Sequence, residues 1–527
     1  MGKTVFWGGP ILTMTWPLYA QAVLTAEGRI QAVGSRAAVA KLAGRDAEWI
    51  DLEGRALLPA FLDPHSHFSG CANACLQGSV ADAKSWGEME SQIQAYIRQS
   101  GIPAGQWVLL RDLDPELLAE RRPPDRAMLD RAAPEHPVVL QHKSGHVGVL
   151  NSRALERLGI TGDTPDPEGG RIWKEGGQPT GYLEENAWLH ALRQIPGPDE
   201  ARLLTAYEQA QRLYASQGIA TVQEGMLVKD MIPLYQRLQE QDRLWLDVVG
   251  YPSPEDGEAA YQAFPRCGQQ YRGHLKLGGY KIFLDGSPQS RTAWMRTPYQ
   301  GGEDRGYPVL SDGQVAEAVS LALATGRQLL AHCNGDQAAE QYLRALEAAR
   351  EEGHEVSHIR PVMIHAQLVG RDQLPRMAAL GVIPSFFVAH VYHWGEAHIR
   401  NFGLERASAI SPAASAGRWG LPYTFHQDAP VIRPDMLETL WCAVCRRTRE
   451  GTVLGAEERV SVLDALRAVT AHAAAQYGET GCKGVIAPGA RADLVLLDRD
   501  PLTVEPEALR SLQVLETYKD GLRVYRR

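Results

Sequence analysis

The sequence predicts an α/β protein: a closed (β/α)8 TIM-type barrel, a small β-sandwich domain built from both chain termini, and an insertion near the barrel mouth. Three observations predict it. The middle of the chain repeats short apolar strands followed by helical stretches, the pattern of a parallel sheet with crossover helices. Both ends instead alternate short strands with glycine turns. At 527 residues the chain is also too long for one core.

In chain order, residues 1–58 hold VFWGGPILTM, then AVLTAEGRIQAVG with a turn at Glu27-Gly28, then AEWIDLEGRALLP. Residues 480–527 continue the pattern with GVIAPGARADLVLLD and VLETYKDGLRVYRR, where Asp520-Gly521 is a hairpin signal. Neither end buries a core alone, so the two are expected to pair as one composite β domain. Residues 59–479 form the expected barrel. Its strands are LKLGGYKIFLD, RQLLAHC, RPVMIHA, GVIPSFFVAH and LPYTFHQD, with helices such as GDQAAEQYLRALEAAR between them. Repetition this regular favours closure, which places active residues at the carboxyl ends of the strands. Residues of about 70–215, with the patches TPDPEGG and EGGQPTG, are too long for one β/α connection and are expected to be an insertion.

Composition excludes several classes. A net charge of −9 and a pI near 6.0 give no electrostatic reason to bind nucleic acid. No apolar run reaches the roughly 18 residues of a membrane span. The N-terminus lacks the shape of a signal peptide, so a cytoplasmic location without membrane association is expected. Seven cysteines, an odd number in a large chain, argue against a disulfide framework. Cys442-Ala-Val-Cys445 lies in an apolar-faced helical stretch without a second pair nearby. No glycine-rich phosphate loop follows a strand, which removes a nucleotide-binding reading.

The chemistry concentrates at strand ends. In LPAFLDPHSHF, His65 and His67 are two residues apart, so a strand projects both imidazoles to one side, where they can share a cation. Lys281 and Asp285 lie on or after another strand, His332 ends RQLLAHC, His365 ends RPVMIHA and Asp428 ends PYTFHQD. If the barrel closes, these groups converge on one point, as a metal centre requires. Asp336 is expected to cap the helix after His332.

The segments LPAFLDPHSHF, SGHVGVLNSRAL, GGQPTGYLEENA, GIATVQEG, KIFLDGSPQSRTA, AHCNGDQAAEQYLRALE, IHAQLV, HQDAPV, AVTAHAA and GVIAPGARADLVLLDRDPL carry a resemblance that spans nearly the whole chain. The chain resembles the amidohydrolase superfamily, in the amidohydrolase type 3 branch related to N-substituted formamide deformylase. The resemblance implies the barrel and terminal β-sandwich, and metal ligands at His65, His67, His332, His365 and Asp428. It also implies that Lys281 is carboxylated and bridges two ions; an unmodified ammonium cannot ligate, and the competing role is a charge partner for Asp285 or Asp428. Departures from the branch are His426-Gln427 where it carries Gly-Ser, and Glu224 where it carries aspartate.

Histidine and carboxylate ligands suit Zn2+ best, with Mn2+, Fe2+ and Co2+ open, one or two ions per chain. The expected reaction is cleavage of a non-peptide C–N bond in an amide, formamide or cyclic amide by metal-bound hydroxide. The catalytic groups are then Asp428 as proton acceptor and donor, Lys281, and His365. A small-molecule substrate would contact His390, His146, Ser287, Arg291 and Trp394, with hydrophobic walls from Phe386, Phe387, Tyr392 and Trp294. A deaminase or esterase on the same centre and a non-catalytic ligand-binding member are the alternatives. Self-association into a homo-oligomer stays open.

Overall fold

At Glu27-Gly28 and at Asp520-Gly521 the chain turns with positive φ, and each turn closes an antiparallel hairpin. Both hairpins belong to a single eight-stranded sheet in the computed structural model, which describes residues 2–142, 147–268 and 270–527. Its order runs from Leu522–Arg526 through Val514–Lys519, Leu494–Leu497, Ala56–Pro59, Thr4–Leu12 and Tyr19–Ala26 to Arg29–Gly34, with Glu48–Asp51 paired to Thr4–Leu12. The N- and C-terminal segments therefore meet where Ala56–Pro59 pairs antiparallel with Leu494–Leu497.

By internal contacts the chain divides into two units, Met1–Cys71 with Glu208–Arg527, and Ala72–Tyr207. The second unit carries a six-stranded sheet from Gly78–Ser79 to Gly170–Glu175 and a core of Met89, Ile93, Val108, Leu110, Met128 and Val138.

The first unit holds, besides the terminal sheet, two parallel sheets. Phe61–Leu62, Ile219–Leu227, Asp247–Pro252 and Leu275–Leu277 form one. Gly279–Phe283, Gln328–Cys333, Val362–His365, Ile383–Phe386 and Thr424–Phe425 form the other. Neighbours in both follow chain order, with helices such as Asp312–Thr325, Asp336–Glu351 and Leu374–Leu380 between them. Leu62, Val249, Leu330, Val362, Ile364 and Ile383, drawn from both sheets, pack into one buried cluster. Each such side chain contributes roughly 1.5–3 kcal/mol on burial.

LKLGGYKIFLD reads as one strand but is two. Gly278 interrupts it, its N–H bonded to Gly250 O at 2.9 Å, with Tyr251 so close that a Cβ at 278 would lie 2.3 Å from the ring. The break hands the chain from one parallel sheet to the other. A second difference is at Asp336. The helix Asp336–Glu351 begins without a side-chain cap, because Trp294 O accepts from the N–H groups of Gln337 and Ala338. Asp336 accepts instead from Arg296 N at 2.8 Å. Cys442 and Cys445 are free and buried in the helix Met436–Cys445. Among the described residues no helix is long and apolar enough to cross a membrane.

Candidate metal centre

Strand register brings the candidate ligands level. In the second parallel sheet Phe283 lies opposite His332, Cys333 opposite His365, and His365 opposite Phe386, which is itself opposite Phe425. His65 and His67 follow the strand Phe61–Leu62, and His67 N donates to Ala429 O at 2.8 Å, tying the first strand end to the turn that carries Asp428. His365 and Asp428 both adopt left-handed backbone, with φ of 70° and 52°.

Side chains distant in sequence consequently meet. Nε2 of His65 and Nε2 of His67 each lie 3.3 Å from Asp428 Oδ1. Lys281 Nζ is 3.4 Å from His65 Nε2, and His332 Nδ1 is 3.1 Å from His365 Nε2. His365 Nε2 is 3.9 Å from Asp428 Oδ2. His65, His365 and Asp428 present ligand atoms all within 4.8 Å of one another. One side is open: the side chains of His67, His332 and Asp428 keep 28, 15 and 14% exposure, whereas His65 and His365 are nearly sealed.

The outward nitrogens decide where the protons sit. His65 Nδ1 is 2.6 Å from Gln223 Oε1, and Gln223 Nε2 is committed to Pro64 O at 2.7 Å, so Nδ1 carries the proton and Nε2 presents a lone pair. His332 Nε2 lies 3.2 Å from Gly286 O and 3.0 Å from Asn334 Nδ2, so it can donate to the carbonyl, leaving a lone pair on Nδ1, or accept from the amide. His332 Nδ1 and His365 Nε2, 3.1 Å apart, are close enough to share one proton, or to present two lone pairs to a single cation. Asp428 Oδ1 is buried without a hydrogen-bond partner. An orphaned oxygen ringed by inward-facing nitrogens fits a transition-metal ion.

Electrostatics agree for His65 and His332, whereas at His67 burial is outweighed by the Asp428 carboxylate, which raises the imidazole. Burial, followed by the Lys281 charge, lowers His65 to about 4 and His332 to about 3, so both are neutral and free to ligate. Burial would raise Asp428, but His65 and His67 outweigh it and hold the carboxyl well below its usual range. Burial lowers Lys281 to about 7. Among the described residues Lys281 has no carboxylate within 4 Å, although the Asp428 charge acts against the lowering by burial. The oxygens of Asp285 are taken instead by the N–H groups of Trp294, Asn334 and Gly335.

Phe387 links a second group to the centre, its ring 6.2 Å from His365 and 4.5 Å from His390. Trp394 lies 4.5 Å from His390, and His390 Nδ1 is 3.1 Å from His398 Nε2. Phe386 packs on Tyr423 instead. His393 pairs with Glu438 at 2.8 Å. Ser287 and Arg291 hold their own loop together: Ser287 Oγ meets Ser290 Oγ at 2.9 Å, and Arg291 donates to Gln300 O at 3.1 Å. His146 lies outside the described residues.

Sequence reasoning missed the part played by Gln223 and assigned none to His426, whose signal was its departure from Gly-Ser. It noted Glu224 without its role: that buried carboxylate accepts from Ser69 N and Tyr235 Oη, both at 2.7 Å.

The family model described as "Amidohydrolase family" matches residues 48–525. The chain belongs to this family. This amidohydrolase is 31% identical to the N-substituted formamide deformylase of Arthrobacter pascens, over 96% of this chain and 95% of that one. It is 27% identical to a putative amidohydrolase, YtcJ, of Bacillus subtilis (strain 168), over 99% of both. Among solved structures it is similar to a metal-dependent hydrolase of Pyrococcus furiosus, with a TM-score of 0.77, 25% identity, and coverage of 95% of this chain and 100% of that one. The amidohydrolase is a hydrolase with an α/β fold, and the donor set described above suits a metal cofactor.

Proposed function

We propose that this amidohydrolase cleaves a non-peptide C–N bond in a small amide, formamide or cyclic amide, with a metal held by His65, His67, Lys281, His332, His365 and Asp428. The observation that carries the reading is Asp428 Oδ1, buried, without a hydrogen-bond partner and 3.3 Å from two imidazole nitrogens. The similarity to a formamide deformylase supports the bond type. The two parallel sheets are taken as arcs of one closed (β/α)8 barrel spanning 59–479, interrupted in sequence by the insertion. The termini, 1–58 and 480–527, make the composite β domain, and the enzyme is assigned to the cytoplasm.

Zn2+ suits the donors best, with Mn2+, Fe2+ and Co2+ as competitors, and such an ion supplies a Lewis acid and a water acidic enough to ionise near neutral pH. Lys281, brought to about 7 by burial, has a substantial neutral fraction at physiological pH, the form that reacts with CO2 to give a carbamate. Asp428 takes the proton of the attacking water as the O–C bond forms. It returns that proton to the nitrogen as the C–N bond breaks. His390 and Trp394 line the substrate side, and Phe387 excludes water.

The test is metal analysis of protein purified without chelator, then a screen of N-formyl, N-acyl and cyclic amides against Zn-, Mn- and Fe-reconstituted enzyme. One or two ions per chain and equal yields of amine and carboxylate are expected. Full activity in metal-free protein would refute the scheme, and release of ammonia from an amidine-like substrate, with the second nitrogen kept in the carbonyl product, would reassign it to deamination.

A further inference from the structure

His426 is completely buried. It follows the strand Thr424–Phe425, and its N–H donates to Phe386 O at 3.2 Å, so the ring is held at the level of the candidate ligands. Nε2 lies 3.1 Å from His365 Nδ1, and Nδ1 lies 2.9 Å from Ser385 Oγ. Ser385 is also fully buried, on the strand Ile383–Phe386 that pairs with both neighbours. Three adjacent strands thus contribute one residue each to a hydrogen-bonded row that ends at the centre.

Proton inventory gives this row a direction. His365 Nε2 faces His332 Nδ1 and Asp428 Oδ2, so to ligate it must present a lone pair there, which places the His365 proton on Nδ1. Nδ1–H then donates to His426 Nε2, which must be unprotonated. The His426 proton therefore sits on Nδ1 and donates to Ser385 Oγ. With His365 ligating, each assignment forces the next, and one set of tautomers satisfies all three residues.

We propose that His426 is a positioning residue: as a neutral acceptor it fixes the tautomer and ring orientation of His365 toward the metal, while Ser385 fixes His426. The outer nitrogen of a ligating histidine usually donates to a carboxylate, a carbonyl or water, and losing such a partner costs about 10–100-fold in metal affinity. Here the acceptor is another imidazole, which holds His365 in place while adding less negative charge to it than a carboxylate would. The ring of His426 fills the space between the rings of His65 and His365, 5.1 Å from each.

The inference rests on the metal-centre reading above, so wild-type metal content is the control. His426→Phe keeps a ring of similar size and removes the acceptor; Ser385→Ala touches no ligand and releases only the His426 tautomer. Affinity is measured by chelator competition, ligand geometry by the visible absorption of Co2+-substituted protein, and fold by thermal unfolding of the metal-free proteins. His426→Phe is expected to bind about 10–100-fold more weakly and to shift the Co2+ bands, with metal-free unfolding close to wild type. Ser385→Ala is expected to change in the same direction by less, and it decides the matter if His426→Phe does not fold. Wild-type affinity and wild-type Co2+ bands in both variants would overturn the inference and leave the hydrolase standing. So would a loss of affinity matched by an equal loss of metal-free stability. A wild-type protein that binds no transition metal would overturn both.

Discussion

Replacing Gln223 with leucine isolates one hydrogen bond behind one candidate ligand. Gln223 Oε1 accepts from His65 Nδ1–H at 2.6 Å. Without that acceptor the imidazole proton can move to Nε2, where it would donate to Asp428 Oδ1, 3.3 Å away and otherwise unpartnered. Both atoms would then be satisfied without a cation, and the ligand lone pair would be gone. A buried hydrogen-bond partner is worth about 1–3 kcal/mol, and at 1.4 kcal/mol per decade this becomes a loss of roughly 5–150-fold in metal affinity. The effect on folding should be smaller, because the other bonds of Gln223 have substitutes. Pro64 O also accepts from Gln476 Nε2 at 2.8 Å, and Tyr477 Oη keeps its bond to Asp63 O at 2.6 Å. The assay is chelator competition on wild type and Gln223→Leu, with unfolding of both proteins in chelator as control. An affinity within twofold of wild type would refute the tautomer argument, as would a loss fully accounted for by unfolding.

Lys281→Ala should lose both activity and bound metal and regain part of each with added short carboxylates; unchanged metal content and rate would remove the carbamate. Gly225→Ala should weaken metal binding, since a Cβ there would lie 2.8 Å from His65 Cε1 and 2.9 Å from Ser66 O, and a metal titration showing no change would contradict it. Lys519→Met should cost about 3–5 kcal/mol in denaturant unfolding at pH 7, because Lys519 Nζ, itself almost sealed from solvent, sits 3.1 Å from Asp247 and 3.2 Å from Asp493. Burial tends to raise the Asp247 carboxyl, but Lys483 and Lys519 hold it well below its usual range, so its stabilisation is present above the unfolded-state value of about 3.9 and lost as pH falls below it. The gap between Lys519→Met and wild type should therefore narrow in acid, and a gap constant down to pH 2 would count against this network.

The candidate ligand histidines were legible because a strand end fixes where its last side chain points, and periodicity of two with an apolar run reveals a strand end without any partner. Gln223 was not legible: its amide acts on His65 from 158 residues away, and in GIATVQEG it looks like any polar residue of a buried strand. The cap expected of Asp336 failed for a related reason. A local rule assigns the nearest acceptor, but Trp294 O already occupies the first turn, and Gly335 stands where a Cβ would lie 1.9 Å from that carbonyl. Gly278 shows the limit of pattern reading in strands: two glycines in an apolar run look like a weak strand interior, whereas the ring of Tyr251 makes one of them a break.

Two features of the candidate centre are unfavourable for folding by themselves. Asp428 Oδ1 forgoes hydrogen bonding in a buried position, a cost of roughly 1–3 kcal/mol. His365, Ala366 and Asp428 hold left-handed backbone, with φ of 70°, 43° and 52°, at about 1–3 kcal/mol each. Hydrophobic packing alone does not require these arrangements, since an asparagine at 428 would bring its own donor to the pocket. One bound cation supplies the missing partner of Oδ1 and needs His365 and Asp428 turned inward as the strained backbone turns them. Unfavourable features that a single ion accounts for are what distinguish a ligand set from histidines that happen to be buried together.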